Sequence, residues 1–140
     1  MTTATSTLEH FAAAFNSGDA TRVADCYTTD AIQQHVMLGT SQGRAAILAA
    51  ESPMFAAFSD VSWTANRIVE AAAGGWHAVE WTVVATNTGP LATPAGEVPA
   101  TGRTVTLTGA SLLQITDDEL IAEEHRYFDT MAMLTQLGLT

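Results

Sequence analysis

The chain has no lysine and little positive charge of any kind. Its five basic residues are all arginine, against fifteen aspartates and glutamates, which gives a formal net charge of −10 at pH 7. Without a lysine amine the protein cannot form an internal Schiff base, which excludes aldolase and pyridoxal phosphate chemistry of that kind. The strong negative charge also repels nucleic acid phosphates and anionic lipids. We therefore expect neither nucleic acid nor membrane partners.

Cysteine and long apolar runs are equally scarce. Cys26 stands alone, so no disulfide can form within the chain, and a zinc–thiolate site is not expected. No apolar run approaches the roughly 20 residues that span a bilayer. Residues 1–6 have neither the basic start nor the apolar stretch of a signal peptide. We expect a cytoplasmic protein whose residues 1–6 are disordered.

Motifs for bound metals and cofactors are also missing. No histidine pair has metal-binding helical spacing, no glycine-rich phosphate loop follows a strand, and no Ser-His-Asp arrangement can be identified. We therefore expect cofactor-free chemistry without a metal. What is present is 140 residues, 47% of them hydrophobic, which is enough for one domain (1–140) with a real core and too little for two.

The first part of the chain has helical spacing of its apolar residues. Leu8, Phe11, Ala12 and Phe15 share one helical face, with Gly18 suited to a left-handed cap and Asp19 to the N-cap of a second helix. That second helix is predicted from Ala20 to about Tyr27, followed by a strand (Ala31 to Leu38), a turn (Gly39 to Gly43) and a third helix (Arg44 to Phe58), which Ser52-Pro53 kinks or restarts.

From Val61 onward, β-branched and aromatic residues predict strands. They are expected at Val61 to Glu70, Trp76 to Thr86, Thr104 to Ile115 and Leu120 to Phe128. The proline- and glycine-containing segment from Asn87 to Arg103 is too long for a tight hairpin and is typical of a lid or pocket rim. Helices followed by consecutive strands predict an α+β fold in which a curved antiparallel sheet wraps around the helices.

Four short sequences, in this order, carry a resemblance to a known family. They are Leu8-Glu-His-Phe-Ala-Ala-Ala-Phe-Asn-Ser-Gly-Asp19, Gly43-Arg-Ala-Ala-Ile47, Gly102-Arg103 and Gln136-Leu-Gly138. The chain resembles the SnoaL-like polyketide cyclases of the superfamily named for nuclear transport factor 2. The resemblance implies a cone-shaped fold that encloses an apolar pocket, a small apolar organic ligand and a homodimer formed through the outer face of the sheet. The scaffold hosts cyclases, isomerases, dehydratases, hydrolases and binders, so fold alone does not give function.

The functional residues of these relatives carry over only in part. In aldol cyclases of the family, the acid/base aspartate falls where this chain has Arg126, the asparagine at about Gln33 and the histidine near Leu113. The sequence Tyr127-Phe128-Asp129 is similar to the last strand of limonene epoxide hydrolases, where the aspartate is catalytic. The arginine and second aspartate of those hydrolases correspond here to Trp81 and Val83. Neither known set of catalytic residues is complete.

Asp129 and His35 are the candidate catalytic residues. A carboxylate at Asp129, at the end of a buried strand, could act as a base in an apolar pocket or could cap the helix that follows. We weigh the two alternatives evenly. His35, on the first predicted strand, could exchange protons or donate a hydrogen bond to a substrate carbonyl, and a structural histidine is the alternative.

Strand alternation and the family resemblance supply the candidate substrate-binding residues. His125, Tyr127 and Asp129 share one side of the last strand and Arg126 the other, where we favour a solvated ion pair with its glutamate neighbours. The remaining candidates for the pocket wall, with core packing or a loop start as the alternatives, are Trp63, Trp81, Asn87 and Phe58.

Three functions are consistent with this sequence. The first is a cofactor-independent enzyme that moves a proton on an apolar, carbonyl-containing cyclic substrate, as a cyclase, isomerase or dehydratase does. The second is a non-catalytic module for ligand binding or dimerisation, which the missing cyclase residues favour. The third is a hydrolase similar to epoxide hydrolases, against which the missing arginine and aspartate count.

Overall fold

Three helices precede most of the sheet. The structure, a computed structural model, describes residues 3–93 and 95–140. Helix α1 (Ala4–Asn16) is capped by Thr3, so residues 4–6 form its first turn, whereas disorder was predicted for residues 1–6. The first two residues of that segment lie outside the described ranges. Gly18 has a φ of 74°, as its predicted cap position requires, and Asp19 caps α2 (Ala20–Ala24) through the amide of Thr21.

Helix α3 (Arg44–Ala57) runs through its proline without ending. Pro53 lies inside this helix, so the predicted restart at Ser52-Pro53 does not occur. The hydroxyl of Ser52 donates to the carbonyl of Leu48 at 2.7 Å, a back-bond that often accompanies a bend in a helix. The chain then passes directly into a strand at Phe58, without an intervening loop.

The strands form one large curved sheet and a small separate one. They are β1 (Tyr27–His35), β2 (Gly39–Gln42), β3 (Phe58–Val69), β4 (His77–Asn87), β5 (Leu91–Thr93), β6 (Gly96–Val98), β7 (Thr104–Ile115) and β8 (Ile121–Phe128). Among the described residues, the large sheet has six strands in the order β2-β1-β8-β7-β4-β3, and β5 pairs with β6. The predicted α+β class is confirmed.

The large sheet is mixed, whereas the sequence predicted a wholly antiparallel one. Strands β1 and β8 run parallel, and the other neighbours in this sheet run antiparallel. The parallel pair begins where Tyr27 aligns with Ile121, so Tyr27 starts a strand although helical spacing placed it at the end of α2. Register shifts mark bulges in β1, β3 and β8, and bulges bend and twist strands.

Apolar side chains from the helices and from one face of the sheet form the core. One cluster joins α1 to the middle of the sheet through Phe11, Trp63, Trp81 and neighbouring residues. A second joins β4 and β7 to α4 (Thr130–Gln136), the short helix after β8. Within the described residues, no helix is both long and apolar enough to cross a bilayer.

Candidate active site

A cavity of about 90 Å³ lies between α3, α4 and the sheet. Most of its wall is apolar. Aromatic side chains form a large part of it: Phe15, Phe55, Phe58, Trp63, Trp81 and Phe128. Aliphatic side chains and thioethers form the rest of the apolar wall: Met54, Val61, Val83, Ala85, Val105, Leu107 and Met133. Three polar side chains, His35, Glu51 and Arg126, also reach it, and a few polar groups in an apolar cleft are typical of small-molecule sites.

Trp81 is held in a fixed position in this wall. Its indole Nε1 donates to the hydroxyl of Ser111 at 3.1 Å. The ring lies over Gly109 on the neighbouring strand, where an added Cβ would fall 2.5 Å from the indole. The ring centroid of Phe128 lies 6.1 Å from that of Trp81, in an edge-on arrangement. The wall on this side is therefore set by a glycine that leaves room for the tryptophan.

Arg126 is buried at the base of the cavity and is the centre of an ion-pair cluster. Its Nη1 donates to Glu51 Oε1 at 2.9 Å, and its Nε and Nη2 donate to the two oxygens of Glu124 at 3.1 Å each. The hydroxyl of Tyr27 donates to Glu124, and the amide nitrogen of Gln33 donates to Glu51 Oε1 at 3.0 Å. The predicted solvated position for Arg126 is wrong, because these partners supply the pairing that a buried guanidinium needs.

The charges in this cluster determine its protonation. Burial alone would raise the pKa of Glu124, but the charge and hydrogen bonds of Arg126, with those of Tyr27 and Gln33, hold it below its usual value. Burial opposes the charge on Arg126, yet Glu124 and Glu51 raise the pKa of its guanidinium well above its usual value. Burial and the negative charge of Glu124 raise the pKa of the Tyr27 hydroxyl well above its usual value, which keeps that hydroxyl protonated. Glu124 and Arg126 therefore form a buried pair of opposite charges.

Among the described residues, one carboxylate oxygen of Glu51 accepts no hydrogen bond. Its side chain comes from α3 and is buried, with 2% of its surface exposed. Oε1 accepts hydrogen bonds from Arg126 and Gln33, which fix the orientation of the carboxylate. Oε2 has no hydrogen-bond partner among the described residues. It is also not fully enclosed, because Gln33 Oε1 is the one fully enclosed side-chain atom without a partner among those residues. Glu51 lines the cavity, and Oε2 is the carboxylate oxygen that is not already bonded to Arg126 or Gln33.

His35 presents a neutral imidazole. Its Nδ1 accepts hydrogen bonds from the backbone N–H groups of Met37 and Leu38, both at 3.1 Å, so in the neutral ring Nε2 carries the hydrogen. Burial, followed by the positive charge of Arg126, lowers the pKa of His35 to about 3, against a smaller opposing effect of Glu124. At neutral pH this side chain is therefore a hydrogen-bond donor in the cavity wall and not an acid.

Asp129 lies outside the cavity. Its carboxylate is exposed and accepts a hydrogen bond from the backbone amide of Ala132 at 2.9 Å, as the N-cap of α4. The capping alternative is therefore the one that the structure supports, and the catalytic position predicted for Asp129 is not found. The similarity to epoxide hydrolases does not extend to the cavity either, because Trp81 and Val83 line it where those enzymes have an arginine and an aspartate.

His125 and Tyr127 face outward from β8. Alternation along the strand was predicted correctly, since Glu124, Arg126 and Phe128 point to the core side and these two residues to the other. Tyr127 is 50% exposed, and His125 contacts Glu123 at 2.6 Å and the ring of Trp76 at a centroid distance of 5.0 Å. Their predicted position in the pocket wall is therefore wrong, because the face that carries the charged Arg126 is the inner one.

Asn87 is fully buried but does not reach the cavity. Its Nδ2 donates to the carbonyls of Ala57 and Gly89 at 2.9 and 3.0 Å, and its Oδ1 accepts from the backbone N–H and hydroxyl of Thr101 at 2.7 and 2.9 Å. These bonds close the loop that carries β5 and β6, so the alternative of a loop start applies. Of the predicted side chains, His35, Phe58, Trp63 and Trp81 do lie in the cavity wall.

The sequence predicted an ion pair between Arg126 and its glutamate neighbours, which include Glu124, but it did not single out Glu51 or Tyr27. A signal for Glu51 was present, because it follows Ile47 by one helical turn and precedes Phe55 by another, on the apolar face of α3. A charge in that position is unusual without a buried partner. Among the described residues, no group of three histidine, cysteine, aspartate or glutamate side chains is arranged to hold a metal ion.

Known proteins share this fold at low sequence identity. TsrD from Streptomyces laurentii is 24% identical with a TM-score of 0.78, over 97% of this chain and 95% of its own. A proposed polyketide cyclase from Pseudomonas putida KT2440 is 25% identical with a TM-score of 0.79, over 97% and 98%. A hypothetical protein with a ketosteroid isomerase-like fold from Catenulispora acidiphila DSM 44928, solved in complex with trimethylamine, is 21% identical with a TM-score of 0.75, over 96% and 93%.

The family assignment comes from the sequence itself. No curated protein matches the chain. The profile of the SnoaL-like domain matches residues 8–124, which is most of the chain. The match begins within α1 and ends in the middle of β8. Members of that family bind small apolar ligands generally, in agreement with the apolar cavity found here. The chain belongs to the family of SnoaL-like domain proteins.

Proposed function

We propose that this protein is a cofactor-independent enzyme that moves a proton on a small, apolar, carbonyl-containing cyclic substrate. The observation that carries the proposal is the pair of polar groups in the apolar cavity wall: an unpaired carboxylate oxygen of Glu51 and the neutral imidazole of His35. A carboxylate can act as a base, and a fixed N–H donor can stabilise developing negative charge on oxygen.

Each polar group has a distinct role in this reaction. Glu51 Oε2 takes a proton from the carbon next to the substrate carbonyl. The electron pair of that C–H bond forms a carbon–carbon double bond, and the carbonyl π pair moves to the oxygen, which accepts a hydrogen bond from His35 Nε2. The positive charge of Arg126, which lowers the pKa of His35, favours this enolate for the same electrostatic reason.

The fate of the enolate defines the reaction type. If the substrate also carries a C=C bond conjugated with the enolate, return of the proton from Glu51 to the far carbon of that dienolate shifts the double bond and gives an isomerase. Attack of the enolate carbon on a second carbonyl of the same molecule closes a ring, with Glu51 returning its proton to the new alkoxide, and gives a cyclase. Both begin with the same proton abstraction, so that step is the one to test.

Deuterium exchange of a simple ketone tests the proton abstraction directly. In D₂O, the protein should speed the replacement of the α-hydrogens of cyclohexanone, followed by proton NMR. Glu51→Gln should reduce this rate by roughly 10²–10⁴-fold, the usual contribution of a general base. His35→Gln should reduce it by roughly 10²–10³-fold, the usual cost of losing an oxyanion donor. Circular dichroism and urea unfolding establish that each variant is folded.

Glu9→Gln is the matched control, because Glu9 is exposed on α1. It should exchange at the wild-type rate. Exchange by the wild-type protein no faster than in buffer, or an unchanged rate in folded Glu51→Gln protein, would contradict the proposed function.

A non-catalytic ligand-binding module is the second candidate. Arg126 stands where aldol cyclases of the family have their acid/base aspartate, and its guanidinium is committed to Glu51 and Glu124. This function predicts that cyclic ketones bind in the cavity and leave it without isotope exchange. Exchange that depends on Glu51 would exclude it.

We also propose that the protein is a homodimer that forms through the outer face of the sheet. Three large apolar or amphipathic side chains on and beside this face support the proposal, since Trp76, Leu112 and Tyr127 are 43%, 39% and 50% exposed. Leu112 pairs with His125 in the register of β7 and β8, so it lies on the same face as His125 and Tyr127. Exposed apolar patches of this kind are typical of association surfaces.

A further inference from the structure

An open apolar groove adjoins the cavity. It has a volume of about 550 Å³ and is bounded by α3, α4, β5 and the turn after β1, with Val36, Ala49, Leu91 and Leu134 in its wall. Among the described residues, no charged side chain lines it, although the chain carries fifteen acidic residues. An uncharged groove on so acidic a protein favours an uncharged, apolar occupant.

Two methionines separate the groove from the cavity. Met54 on α3 and Met133 on α4 line both spaces. Methionine side chains have three rotatable bonds and adapt to ligands without strain in the backbone. A change in the conformation of these two side chains would join the groove to the cavity.

The cavity alone is too small for a typical ligand. Its volume of about 90 Å³ is below the roughly 300–1,000 Å³ that small-molecule sites usually measure. With the groove included, the space falls in that range. For a substrate whose reactive carbonyl lies beside Glu51 and His35, the additional space is the groove beyond Met54 and Met133.

We propose that the groove is an outer substrate subsite, which holds an apolar extension of the molecule whose carbonyl ring occupies the cavity. The substrate class is then a cyclic ketone that bears an alkyl chain or further fused apolar rings. The inference rests on the proposed function for the placement of the ring. A protein partner would cover the groove from outside and would not use the connection between the two methionines, which is why the extension of a small molecule fits better.

A homologous series of ketones measures the contribution of the groove. Cyclohexanone and its 2-methyl, 2-butyl and 2-octyl derivatives would be titrated, with the fluorescence of Trp63 and Trp81 in the cavity wall as the readout. Each methylene that enters the groove should tighten binding by up to about fourfold, the equivalent of about 0.8 kcal/mol. Affinity that does not rise with chain length would overturn the proposal.

A charge placed in the groove gives the matched mutational test. Ala49 is exposed on α3 and lines the groove, whereas Ala45 is exposed on the same helix and does not line it. Ala49→Glu should reduce the ratio of octyl to methyl affinity at least tenfold and leave cyclohexanone binding unchanged. Ala45→Glu should change neither. An unchanged ratio in Ala49→Glu, or a change in its oligomeric mass without a change in the ratio, would show that the groove does not hold the ligand.

The two proposals fail in different ways. If affinity rises with chain length but no ketone exchanges its α-hydrogens, the outer subsite stands and the proposed reaction is wrong. If exchange depends on Glu51 but affinity is independent of chain length, the reaction stands and the outer subsite is wrong.

Discussion

His35 stays neutral in the folded protein over a pH range in which it would be protonated in the unfolded chain. Its pKa is lowered from the ordinary 6.5 to about 3 in the folded state. As pH falls below 6.5, the unfolded chain gains a proton that the folded one does not, so the stability contributed above that pH is lost. We predict that, because of His35, the unfolding free energy falls by about 2 kcal/mol as the pH is lowered from about 7.5 to about 5, as measured by urea unfolding.

The comparison variants for this pH dependence are His35→Gln and His10→Gln. In His35→Gln, the unfolding free energy should fall less between pH 7.5 and 5 than in the wild type. In His10→Gln it should fall as in the wild type, because His10 is exposed on α1. Below that range Glu124 also contributes, since its pKa is lowered and its stabilising charge is lost as pH falls further. An identical slope in wild-type and His35→Gln proteins would show that His35 is protonated in the folded state.

The residues of the site could be predicted only where local sequence decides their position. The sequence Asp129-Thr-Met-Ala fits a helix cap and a pocket base equally well, and what separates them is whether the strand end lies inside the fold. Glu51 and Arg126 are 75 residues apart in sequence. Each alone is typical of a solvated surface, and only their pairing makes burial favourable. That information is contained in the tertiary structure.

At the level of single elements, β7 shapes the cavity through the absence of one side chain. A Cβ at Gly109 would fall 2.5 Å from both the indole of Trp81 and the backbone oxygen of Tyr127, so one of them must move. We predict that Gly109→Ala lowers the unfolding free energy by about 1–3 kcal/mol. It should also weaken cyclohexanone binding, because the displaced indole enters the cavity. Urea unfolding and fluorescence titration measure these effects.

The control for this strand is Thr106→Ser, because Thr106 is exposed and lies outside the part of β7 that pairs with β8. It should leave both stability and binding near their wild-type values. Wild-type binding by Gly109→Ala would mean that Trp81 does not move toward the cavity.

The loop between β4 and β7 depends on Asn87. Four hydrogen bonds of this fully buried amide join the loop to the end of α3 and to its own far end. We predict that Asn87→Ala lowers the unfolding free energy by roughly 2–4 kcal/mol, because several buried groups lose their partners. Hydrogen exchange should show the amide of Thr101 losing protection before the amides of the large sheet.

Asn66→Ala is the comparison for the loop, since Asn66 is exposed and donates one hydrogen bond, to Thr82. That variant should lose less than about 1 kcal/mol. Uniform loss of protection over the whole chain in Asn87→Ala would show that Asn87 stabilises the fold in general and not this loop.

Most elements could be predicted from sequence, and the misses have a common cause. Helices α1 and α3 and strands β4, β7 and β8 follow their periodicity closely. Strand β1 begins four residues before its predicted start because Tyr27 pairs with Ile121, far away in the chain. Short strands such as β2 and β5 have too few residues for a pattern, and they form because a neighbouring strand offers unpaired backbone groups.

The oligomeric state can be tested on the whole molecule. Light scattering during size-exclusion chromatography should give a molar mass of about twice the chain mass of 14.7 kDa. Leu112→Glu should give the monomer mass, because it places a charge on the outer face of the sheet. Met131→Glu is the control, as Met131 is 60% exposed on α4, away from that face. A wild-type monomer, or a dimer that persists in Leu112→Glu, would contradict assembly through this face.

The parallel pairing of β1 with β8 also constrains how the molecule folds. These strands are neighbours inside the sheet, yet residues 36–120 lie between them, and contacts of such long range slow folding because a large loop must close first. Until β8 is in place, the Tyr27 hydroxyl and the Glu51 carboxylate lack the guanidinium of Arg126. During synthesis, the last strand to emerge is therefore the one that completes the ion-pair cluster for residues 1–120.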